Sequence, residues 1–113
     1  MLGYRVEQPL DIPDEAFAAD GIATIVVTGY STGGIWIMSA LAPQMPTAKF
    51  GSFRTDTAPG KPDLAVEAAE DWMSKECDRL GLNLAHSANQ NHTYPTDEAP
   101  FFAAIMFLVV RQM

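Results

Sequence analysis

Three groups of residues in this 113-residue chain have the type and spacing to do chemistry: a serine set between glycines, two nearby histidines and a row of acids. The segment Gly29-Tyr30-Ser31-Thr32-Gly33 comes at the end of the apolar, β-branched run from Ile22 to Tyr30 and fits the pattern G-x-S-x-G. In that pattern small residues let the backbone turn sharply and hold a hydroxyl out as a nucleophile. His86 and His92 carry imidazoles that bind metals and titrate near neutrality. No H-E-x-x-H or Cys-x-x-Cys spacing accompanies them, so neither a metal nor any other cofactor is expected. The acids Asp63, Glu67, Glu70, Asp71 and Asp78 belong to the stretch Pro62 to Leu80. With Ser74 between them, they fall within an arc of roughly 100° when a helix turns about 100° per residue.

The serine segment resembles the nucleophile elbow of α/β-hydrolases, and the resemblance covers about a dozen residues with the strand ahead of it. It implies a small serine hydrolase with Ser31 as nucleophile, followed in chain order by Asp56 or Asp71 and then His92. That fold needs a helix directly after the turn and strands before it. Here the residues after the turn are β-branched and reach Pro43 too soon for a good helix. The competing reading is a β-hairpin turning around Ser31 to Gly34, and it is the one adopted.

The acidic row carries the main functional expectation. Like charges four apart, such as Asp63 with Glu67 and Glu67 with Asp71, each cost a helix a few tenths of a kcal/mol. Lys75 is the local cation that offsets them. A row that is retained at a cost fits a basic surface on a protein partner, where complementary charge raises association rate and specificity. Tyr30, in the hairpin turn, and Tyr94, in a polar loop, are expected to be exposed and to anchor the same contact. Glu76 falls inside the apolar arc of the helix and is expected to reach solvent or pair with Arg79.

Fourteen acids against seven Lys and Arg give a net charge of −7, which opposes direct binding to nucleic acid and to anionic membrane surfaces. In size, charge and lack of enzyme motifs the chain is similar to inhibitors made by phages and other mobile elements against host nucleases and defence complexes, anti-CRISPR proteins included. That resemblance implies a non-enzymatic protein that blocks or regulates a basic, nucleic-acid-handling partner. A third reading is self-assembly, because the hairpin and the apolar run from Ala99 to Val110 offer surface that a short chain has difficulty covering.

The secondary structure that carries these residues can be read from local signals. Pro62 and Asp63 start a helix over 62–80, and Gly81 stops it. Short strands are expected near Tyr4 to Glu7, at Ile22 to Tyr30, at Ile35 to Leu41 and at the edge-like Lys49 to Thr55, where Gly51 would permit a bulge. Asp11 to Gly21 suits a helix of about two turns. A short strand near Leu82 to His86 precedes a polar loop. Phe101 to Arg111 reads as helix or strand, with the start signals Asp97, Glu98 and Pro100 favouring helix. The expected fold is therefore α+β, one domain over 1–113, with a small antiparallel sheet of three or four strands packed by the main helix and the C-terminal segment. Cys77, the only cysteine, and the absence of a signal-like stretch lead to an expected cytoplasmic location.

Overall fold

The structure is a computed structural model, and it describes residues 3–32, 34–56, 62–88 and 101–111. It is α+β. Six antiparallel strands form one sheet, β1 (Tyr4–Gln8), β2 (Ile22–Thr32), β3 (Ile35–Leu41), β4 (Gly51–Thr55), β5 (Leu82–Ala88) and β6 (Phe101–Arg111), in the order β1-β4-β3-β2-β6-β5. Among the described residues one α-helix, α1 (Pro62–Leu80), lies against one face. The sheet therefore has six strands where three or four were expected.

Two of the additional pairings come from the C-terminal half. Phe101–Arg111 is a strand, not a helix, and it pairs with β2 over ten positions from Ile22↔Val110 to Ser31↔Phe101. Ile105, Phe107 and Val109 point into the core while Ala104, Met106, Leu108 and Val110 are half-buried on the other face. A strand that is apolar on both faces hides its period of two, and the long partner strand overrides its good helix formers. The segment Leu82–Ala88 then pairs along β6 as an edge strand. Asp97, Glu98 and Pro100, the signals that favoured a helix, lie outside the described residues.

Two local expectations are also corrected. Between Asp11 and Gly21 there is a single 3-10 turn, Asp14–Ala16, in place of a two-turn helix. Pro13, extended at φ −68° and ψ 156°, makes no side-chain cap, and Ala16 is the one residue of the turn that reaches the core. Strand β4 is not an edge, since it pairs with β3 on one side and β1 on the other.

The core forms where α1 crosses the inner face of the sheet. Ala65, Ala68 and Ala69 are small enough to bring the helix close, and Trp72 fills the space opposite β4. A Cβ on Gly51 would come within 3.1 Å of the Trp72 ring and 3.0 Å of the Leu10 Cα, so Gly51 serves close approach and not a bulge. Phe53 stands between Trp72 and Tyr4, with ring centroids 5.1 and 5.3 Å away and both pairs tilted. Each such pair adds roughly 0.5–1.5 kcal/mol to the area it buries. Gly81 ends the helix at φ +71°, in the left-handed region.

Over 22–30, 35–41 and 104–110 buried inner residues alternate with outer ones that are half-buried, or exposed at Tyr30. The inner series includes Ile25, Val27, Trp36 and Met38, and the outer series Val26, Ile37 and Leu41. Among the described residues no helix is long and apolar enough to cross a membrane.

Candidate functional site

The acids of α1 separate into two kinds once the helix is docked. Asp71 and Glu76 are used by the fold. The Tyr4 hydroxyl donates to Asp71 Oδ2 at 2.8 Å, and Lys75 Nζ lies 3.1 Å from the same oxygen. The hydrogen bond from Tyr4 first, and Lys75 second, hold the Asp71 carboxyl below the usual carboxylate range. Burial raises the Tyr4 hydroxyl well above its ordinary value, and the negative charges of Asp71 and Glu76 raise it further. Edge strand β1 is thereby fastened to the helix.

Glu76 sits at the margin of the core and is answered by Arg79, as the sequence suggested. Arg79 donates to Glu76 Oε2 from Nε at 2.8 Å and from Nη2 at 2.5 Å, and Nη2 also donates to the buried Leu10 carbonyl at 2.8 Å. One guanidinium thus neutralises a buried carboxylate and holds the chain between β1 and the 3-10 turn. Cys77 lies one residue on, inside the core. Burial, helped by the charges of Asp78 and Glu76, pushes its thiol up to about 11, so it stays protonated and unreactive near neutrality.

Glu67, Glu70 and Asp78 are different. They form no ion pair among the described residues, while five cations are engaged elsewhere: Arg5 and Arg54 with Glu7, Lys75 with Asp71, Arg79 with Glu76 and Arg111 with Asp14. Glu67 and Asp78 are exposed and Glu70 is half-buried. At about 1.5 Å per residue, the ridge from Glu67 to Asp78 is about 16 Å long. Asp63 occupies the first turn of the same helix.

The two tyrosines expected beside this ridge are not brought to it. Tyr30 is 45% exposed, but it is a strand residue paired with Ile37 and Phe102 on the outer face of the sheet, the face opposite α1. Tyr94 lies outside the described residues, as does His92. The acidic ridge and Tyr30 are separate surfaces.

Ser31 does not stand on a nucleophile elbow. It is fully buried in β2, paired with Trp36 across the hairpin and Phe101 on the other side, and its Oγ has no hydrogen-bond partner among the described residues. Strand β3, not a helix, comes next in the chain. Gly29 has a packing reason of its own. A Cβ there would collide with the Met38 sulfur and the Ile37 carbonyl oxygen, because Met38 lies across the strand at this point. The glycine that opens the motif admits a neighbouring side chain.

Among the described residues no group of three or more His, Cys, Asp and Glu side chains could hold a metal ion. Comparison with protein-family models, with curated proteins and with solved structures finds no match.

Proposed function

We propose that the protein is a non-enzymatic binding protein whose acidic helix ridge, Glu67, Glu70 and Asp78, meets a basic surface on a protein partner and blocks or regulates it. The observation that supports this reading is the division of the acids on α1. Asp71 and Glu76 are matched with cations inside the fold, whereas three carboxylates on the outer ridge have none among the described residues. Unmatched charge of one sign attracts and orients the opposite charge, and at physiological salt its reach is about 8 Å. The size and net charge of −7 agree with an inhibitor of the phage type, anti-CRISPR proteins among them, directed at a nucleic-acid-handling partner.

The variant that tests the ridge is Glu67→Gln, Glu70→Gln and Asp78→Asn together. Asp71 is left intact because its loss would release Tyr4. Capture of a basic protein from cell extract at low salt, its release at high salt and its absence with the triple variant are the expected results. Equal capture by the triple variant, or capture that ignores salt, would remove this mechanism.

A further inference from the structure

We propose that the outer face of the sheet is an isologous interface, and that its occupant is the same face of a second copy of this chain. The helix that covers the sheet lies on the other side, and no outward position of β2, β3 or β6 is charged although the chain carries −7. Arg5, Glu7 and Arg54 lie at the β1–β4 border and pair with one another. At the described outward positions of β2, β3 and β6 a basic protein would find no acid and a nucleic acid no cation. Two copies meet on this face without setting acid against acid, since each acidic helix points away from the contact.

The relief of the face is self-complementary. Met106, Val26 and Leu41 are cross-strand neighbours and form a ridge across three strands. The adjacent row, two residues along each strand, is Ala104, Thr28 and Ser39, lower than the ridge at β6 and β3 and level with it at β2, where threonine and valine are the same size. A two-fold axis in the plane of the contact, running across the strands between these rows, places each ridge against the other copy's lower row. Packed sheets lie about 10 Å apart, which this interdigitation permits.

Edge pairing is the other route by which sheets associate, and here it is guarded. Strand β1 carries Arg5 and Glu7, is followed by Pro9, and shifts register between Val6 and Gln8. Strand β5 shifts register between Leu84 and His86. Bulges and charges of this kind prevent strands from adding at an edge.

Three strands about 4.8 Å apart and seven to eleven residues long give a footprint of about 450 Å² per copy. With side chains standing up from that plane, the pair buries about 1,000 Å², near the lower bound for a specific interface. A contact of this size suits a dimer in reversible exchange with monomer.

Sedimentation or light scattering from about 1 to about 200 µM tests this, using the whole chain, the variant Thr28→Lys and the variant Ser39→Lys. The expected result is a mass that rises from 12.3 kDa toward twice that value, does so equally in about 0.5 M salt, and stays at 12.3 kDa in both variants. Thermal melting of each variant identifies any that fails to fold, and the other then carries the comparison. Wild-type protein that remains at 12.3 kDa throughout, folded variants that associate like wild type, or association abolished by salt would each overturn the proposal.

Discussion

The Tyr4 hydroxyl donates to Asp71 Oδ2 at 2.8 Å, joining an edge strand to the middle of the helix across 67 residues of sequence. This bond makes one member of the acidic row a structural residue and separates it from Glu67, Glu70 and Asp78. It also gives the fold a defined response to pH.

Tyr4→Phe is predicted to lower stability by about 1 kcal/mol at neutral pH, the usual worth of one such bond. Asp71 has a depressed folded value, so its contribution is complete above the unfolded value of about 3.9 and disappears as pH falls through the folded one. Tyr4 has a raised value, so its contribution is present below about pH 10 and lost as pH rises beyond. Urea titrations of both proteins should show a gap that is constant near neutrality and closes below about pH 4. A gap that persists unchanged in acid would show that the bond does not depend on the Asp71 carboxylate.

Arg79→Met is predicted to cost about 3 kcal/mol, because it strands the Glu76 carboxylate at the core margin. It also leaves the Leu10 carbonyl without its donor. Glu76→Gln keeps a neutral acceptor and should cost only about 1 kcal/mol. The double change to Met at both positions should recover part of the Arg79→Met loss. Chemical denaturation in a double-mutant cycle measures this, and strictly additive costs would mean that the two side chains are not coupled.

Gly29→Ala is predicted to destabilise the protein by about 3 kcal/mol, through overpacking against Met38 and the Ile37 carbonyl. Adding Met38→Ala should relieve only part of it, because the backbone oxygen remains. An alanine variant as stable as wild type would show that Met38 and β3 move aside without cost.

The parts of the fold that were legible in the sequence are those fixed by near neighbours. Helix 62–80 has its proline start, its glycine stop and its apolar arc within one stretch, and the structure keeps those bounds. The Glu76–Arg79 pair is three residues apart on that helix. Strand β6 was ambiguous because both of its faces are apolar and its identity depends on pairing with β2, 88 residues away at Ile22↔Val110. The interior place of β4 likewise depends on β1 closing over it. The same limit separated Tyr30 from the acidic ridge. Their grouping assumed a turn near the helix, and only the packing of α1 on the face that buries Ile25, Val27 and Ser31 shows that Tyr30 faces the other way. Gly29-x-Ser31-x-Gly33 was misleading for a related reason: the collision that requires Gly29 is with Met38 on the neighbouring strand, which a motif cannot contain.

The most direct measurement of the ridge mechanism is the association rate of the captured basic partner with wild-type protein and with the Glu67→Gln, Glu70→Gln, Asp78→Asn variant, as salt is raised. Removing these three charges should slow association by about tenfold at low salt, leave dissociation nearly unchanged, and bring the two proteins together at high salt. Equal association rates at low salt would contradict the ridge mechanism and move the binding surface elsewhere on the molecule.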